Sequence, residues 1–383
     1  MIFVYADYLT IDNIELTGFH TSGGSGGSIV GINDSSGNGG DIVEHLYIHG
    51  WSHAASGDTD NAFAISAGNG SLPNSCIQYN VIDGSDTTKD MLGGLQSTIP
   101  CAAGNVIKYV TNGIQGSGQN WYNNVIGPIV TCFSGCHQNA IFNFTSISGS
   151  GNIYIYNNIV TGTFYYGGTL YGGSGGGIWL AGNGAFSGTG YVFNNLMYSN
   201  SGAFTIGLGG HNALNYGTWY VFNNTEECGN DVTINSGTGS CGGDGGGATG
   251  ETFNLTAINN HFITGDGGST PILCQFGIAC SFTTNLNQTL TAANTQGYND
   301  TTETYAFSPG TISGSTVGAG TNQQSLCTTI AGLNGAAGAA CASDLRGVAR
   351  PASAAWDIGA YQYQAGGSTI PPSAPPSLSW RLQ

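Results

Sequence analysis

Charge is what this sequence has least of. Charged residues make up 7% of the 383, and five are basic: Lys89, Lys108, Arg346, Arg350 and Arg381. Against 21 acids they leave a formal net charge of -16. That balance argues against nucleic acid or an anionic membrane as partner. A neutral partner fits, as does an acidic one bridged by a cation. Few Glu, Lys or Arg remain to line the wet face of a helix, and 66 glycines add an entropic penalty there, so an all-β chain is expected. No apolar run approaches the roughly 18 residues of a membrane helix, which excludes insertion by that route. The start, "MIFVYADYLTIDNIELTG", lacks a basic n-region and already alternates like a strand. The chain is therefore expected to begin inside a fold, with a leader and capping structure upstream. Paired CxxC and HxxEH-like motifs are missing too, which argues against zinc.

Aromatic residues are plentiful. The 19 Tyr, 16 Phe and 6 Trp are interspersed among the glycines, unlike the composition of a disordered chain, and a 40% hydrophobic content can supply a core. The ten cysteines fall as near neighbours: Cys76 and Cys101, Cys132 and Cys136, Cys228 and Cys241, Cys274 and Cys280, Cys327 and Cys341. Disulfides are expected, with connectivity left open, and with them an oxidising, extracellular or cell-surface location.

One short motif recurs. "WYNNVIG", "IYIYNNIVTG", "YVFNNLM", "WYVFNN" and "TAINNHF" each break a strand-like run with two asparagines. The second of each pair gives Asn124, Asn158, Asn195, Asn224 and Asn260, at steps of 34, 37, 29 and 36. Looser matches place Asn80, Gly50 and Gly18 upstream, with steps of 32, 30 and then 44 across an extra excursion at "CAAGNVIKYVTNGIQG". Apolar residues on both sides of a turn-forming amide describe a strand, a corner and a strand, so each period is one coil of a parallel β-solenoid. Coils stacked about 4.8 Å apart would place each marker asparagine above the next, its amide bonded to neighbours on both sides.

This pattern resembles the right-handed parallel β-helix superfamily that includes pectate lyases, from about residue 8 to 270. The expected organisation is a β-helix over residues 1–270 and a capping or side-packing region of the same domain over 271–363. A flexible Gly, Ser and Pro-rich linker follows over 364–383. Within the cap, "DLRGVARPASAAWDIGAYQY" resembles the C-terminal signature of bacterial choice-of-anchor domain proteins, with Arg346 and Arg350 expected to pair with Asp344 and Asp357.

The resemblance implies work on extracellular polysaccharide, with calcium and a basic side chain if the protein is a lyase. Lys89 sits in "VIDGSDTTKDM" with Asp83, Asp86 and Asp90, and the preceding "HLYIHGWSHAASGDTD" carries His45, His49, His53, Asp58 and Asp60. Registering Gly50 on Asn80 places His53 over Asp83 and His49 over Tyr79. The catalytic candidates are His53, Asp83, Asp86, Lys89 and His49; Asp58, Asp60 and Asp90 are the candidate calcium ligands. Paired carboxyl groups for glycoside hydrolysis are the alternative, and solvated polar loops the bland one. Tyr165, Tyr166, Tyr171 and Trp179 could offer flat faces to sugar rings or fill the coil interior. His137 and His211 sit in glycine-flanked loops that could reach a groove, whereas His20 and His261 read as packing residues. The rival to a polysaccharide lyase or hydrolase is a non-catalytic adhesin, glycan-binding module or fibre subunit, self-associating end to end through unpaired strand edges.

Overall fold

The computed structural model describes residues 1–5, 7–21, 27–32, 39–53, 62–67, 74–85, 93–97, 100–130, 139–145, 151–161, 164–166, 169–170, 176–182, 186–199, 204–208, 215–228, 238–240, 252–264, 272–273, 279–298 and 312–365. The linker expected at 364–383 falls outside them but for its first two residues.

Ten coils each contribute one strand to each of three ten-stranded sheets. The chain is a parallel β-helix. A pre-corner sheet runs from Thr10–Asp12 to Ala279–Thr283, and a post-corner sheet from Glu15–Leu16 to Leu286–Thr289. Neighbours in both are parallel throughout. The third sheet starts at Ile2–Val4 and stays parallel as far as Phe204–Leu208; Thr238–Ser240 then pairs antiparallel with it and with Ile272–Leu273. Alternation along each strand sends one row inward. Ile48, Ile82, Ile107 and Ile126 align in the post-corner sheet and Ile65, Leu95, Ile114, Ile141 and Ile178 in the third, all fully buried.

The paired asparagines divide one corner between them. The first residue takes a left-handed backbone, with φ between 51° and 65° over the ten coils: Asn13, His45, Tyr79, Gly104, Asn123, Asn157, Asn194, Asn223, Asn259 and Thr284. Asn and Gly adopt this conformation at little cost, whereas His45 and Tyr79 bear about 1–2 kcal/mol of strain. The second asparagine points inward and builds the ladder. Asn158 Nδ2 donates to Trp121 O at 2.9 Å and to Asn195 Oδ1 at 3.0 Å, and the same Oδ1 accepts from Asn158 N at 3.0 Å. The pattern repeats through Asn80, Asn105, Asn124, Asn158, Asn195, Asn224, Asn260 and Asn285, so these buried amides find partners on neighbouring coils.

Two expectations about register need correction. The 44-residue step is two coils of 25 and 19, because Asn105 stands on the ladder behind Gly104 instead of a second asparagine. Gly50 is also not on the ladder; Leu46 is, its N–H reaching Asn80 Oδ1 at 3.0 Å. Gly18 and Gly50 have φ values of 70° and 62° at the following corner, which is why a glycine marker mimicked an asparagine one four residues away.

Cys76 and Cys101, register partners on adjacent coils, are disulfide-bonded, as are Cys327 and Cys341; no described cysteine is free. Residues 312–365 lie along the flank of the helix. Helices α2 (Gln324–Leu333) and α3 (Gly335–Cys341) cover a stacked ladder of Tyr122, Tyr156, Phe193 and Phe222, with ring centroids 4.9, 5.0 and 4.9 Å apart. Leu345 and Tyr361 join α1 (Leu290–Asn294) and Tyr298 over Ile159, Leu196 and Ile263.

The expected signature residues fasten this segment. Arg346 pairs with Asp344 at 2.9 Å. Arg350 instead reaches the carbonyls of Asp357 (3.2 Å) and Gly359 (2.9 Å) and Oδ1 of Asn194 (3.1 Å), so the expected pairing with the Asp357 carboxylate is corrected to one with its backbone. Asn194 Nδ2 returns bonds to Ala340 O and Ser343 O. Gly359 is required twice over: its φ is 95°, and a Cβ there would fall 2.5 Å from Thr225 Oγ1.

A candidate site on the open corner of the first four coils

Coils one to four leave their outward corner uncovered by residues 312–365, and titratable side chains gather there. The register decides which of them meet. Asp83 aligns with His49 on one side and Lys108 on the other, while His53 aligns with Thr21 in a separate two-stranded sheet. The expected stacking of His53 over Asp83 and of His49 over Tyr79 is therefore corrected. The ring beside Tyr79 is His45, stacked at 5.7 Å. A four-residue error in the marker, Gly50 for Leu46, accounts for both displacements.

Four polar pairs bridge adjacent coils. His45 Nδ1 lies 2.8 Å from Asp12 Oδ1, and His49 Nε2 lies 2.9 Å from Glu15 Oε1. Gln78 Nε2 donates to Glu44 Oε2 at 2.7 Å, and Lys108 Nζ to Asp83 Oδ2 at 2.8 Å. Tyr47 stacks on His49 at 4.1 Å. A carboxylate on one ring nitrogen fixes an imidazole's orientation and tautomer, the arrangement that proton transfer needs.

Asp83 is the least free of these acids. Its side chain is 12% exposed, and Oδ1 accepts from Ser85 N at 2.9 Å. Burial works against the charge of Lys108, but the hydrogen bond and charge of Asp83 outweigh it and raise the lysine above its usual range. Lys108 therefore stays protonated and cannot serve as a base at neutral pH. The ligand atoms of Asp12, Glu44 and His45 lie within 4.8 Å of one another and could hold a cation. Two carboxylates with an imidazole suit a first-row transition ion better than the all-oxygen shell calcium prefers.

Asp86, Lys89, Asp58, Asp60, Asp90, Tyr171, His137 and His211 lie outside the described residues, as do the side chains of His53, Tyr165 and Tyr166. Trp179 does not offer an open face: it alternates with the inward Ile178 and Leu180, stacks on Phe142 at 4.7 Å and is 2% exposed. The sequence reading passed over Lys108, Glu15, Glu44 and Asp12 as site residues. Registering Asn105 on Asn80 would have put Lys108 beside Asp83 at once.

No protein-family model, curated protein or solved structure matches the chain. The β-helix assignment accordingly rests on the strand topology and the asparagine ladder, and neither the pectate-lyase-like nor the choice-of-anchor resemblance gains a match in its support.

Proposed function

We propose that this β-helix acts on an extracellular polysaccharide at the open corner of coils one to four. The reading is carried by one observation: two carboxylate-oriented histidines, His45 and His49, lie against the aromatic faces of Tyr79 and Tyr47 on an elongated outward surface. Tyrosine rings stack on sugar rings without needing charge, and an oriented imidazole moves protons near neutral pH. Asp12 and Glu44 are near enough to each other for the two-carboxylate chemistry of glycoside hydrolysis, which in retaining enzymes uses groups about 5 Å apart. The disulfides among the described residues fit the extracellular setting.

Incubation with a panel of polysaccharides tests the reading. Hydrolysis releases reducing ends and elimination raises ultraviolet absorbance, and His45→Ala should abolish either signal while leaving the fold intact. Inactivity on the whole panel would favour a non-catalytic glycan-binding or adhesive β-helix. That second reading has its own support: Glu44–Gln78 and Asp83–Lys108 are occupied in cross-coil pairs that stiffen the surface.

A further inference from the structure

The charges around this corner bear on which polysaccharide it can take. Eleven of the chain's 21 acids precede residue 91, where Lys89 is the one base. At the corner, Asp12 and Glu15 are half exposed and Glu44 is half-buried beside them. The described bases are all committed elsewhere. Lys108 is bound to Asp83, Arg346 to Asp344, and Arg350 is buried beneath the C-terminal segment. Elimination from a uronate polymer needs a cation to neutralise the sugar carboxylate as the neighbouring proton leaves; none of the described lysines and arginines is free to do so, and His45 and His49 each already face a carboxylate. A carboxylate brought to this surface would instead meet Asp12, Glu15 and Glu44, and like charges at close range oppose binding.

We infer that the glycan accepted at this corner carries no carboxylates, and that protonated amino groups on it strengthen binding through Asp12 and Glu15. This rests on the polysaccharide reading above and narrows it to neutral and amino-sugar polymers, hence to hydrolysis or simple binding and away from uronate elimination. Tyr47 and Tyr79 are partly exposed beside the imidazoles they stack on and add apolar contact that does not depend on the sugar's charge; the exposed carboxylates supply the discrimination.

The experiment is retention of the intact protein on immobilised chitosan, a neutral glucan, a neutral galactan, polygalacturonate and alginate, each with EDTA and again with calcium. Chitosan is expected to retain most, a neutral polymer less and both uronate polymers none. Asp12→Asn and Glu15→Gln should each weaken chitosan binding about two- to fivefold, because exposed pairs contribute only modestly, and retention on chitosan should fall further than retention on a neutral polymer. Raising salt from about 50 to about 500 mM should produce the same selective loss. Retention or depolymerisation of either uronate polymer, with or without calcium, overturns the inference but leaves the polysaccharide reading standing. Failure of every polymer to bind overturns that reading and the inference together.

Discussion

The first four coils and the five that follow share one scaffold yet present opposite surfaces. Along the last outward row of the pre-corner sheet the chain places Asp12, Glu44, Gln78 and Ala103, then Tyr122, Tyr156, Phe193, Phe222 and Ile258. The change from polar to aromatic falls where α2 and α3 begin to cover the sheet. The left-handed corner row behaves alike. His45 and Tyr79 stack in the open half, whereas Asn194 and Asn259 hold the covering segment through Arg350 and Thr321. Identical backbone geometry thus presents a stacked imidazole and phenol in one half and docking amides in the other, with side-chain choice alone making the difference.

The largest expected break in this comparison comes from Arg350→Ala. It strands the carbonyls of Asp357 and Gly359 and the amide of Asn194 in a buried interface, at roughly 3–5 kcal/mol. Hydrogen exchange should then accelerate in α2 and α3 while coils one to four stay protected. Arg350→Lys should not rescue, since an ammonium cannot span the same acceptors.

Ladder substitutions come next. Asn195→Ala leaves Asn158 N–H and Ile155 O without partners and should lower stability by roughly 2–4 kcal/mol in urea melts. Asn80→Ala should lower it about 1 kcal/mol less, because its Oδ1 receives only the Leu46 amide.

His261 gives a pH-dependent test in the covered half. Burial lowers its pKa to about 4, although its hydrogen bond to Gln288 opposes the shift. Between about 6.5 and about 4 the unfolded chain holds a proton that the folded one does not, so stability is full above that window and falls as pH drops through it. The loss should reach about 3 kcal/mol, and His261→Gln should flatten the slope. The smallest effect belongs to the open half: Asp83→Asn should cost about 1 kcal/mol or less, since Lys108 is partly exposed. A larger loss there would mean that the open corner is as structural as the covered one.

Much of this was legible before any coordinates. The paired asparagines revealed the coil, its corner and its inward ladder, because one physical need recurs at one place in each coil. Register over the first four coils was not legible, because Gly104 and His45 replace the first asparagine of the pair and Leu46 replaces the second. With it went the pairing of Asp83 with Lys108 and of His45 with Asp12.

The sequence by itself determined a stack of coils and the residues available to each face, since alternation and corner chemistry are local. Which faces stayed open was decided only by tertiary structure. Arg350 and Asn194 are 156 residues apart, and nothing local to either specifies that the segment carrying one will lie over the corner carrying the other. That contact buries the aromatic half and leaves the acid, histidine and tyrosine array of the first four coils facing outward.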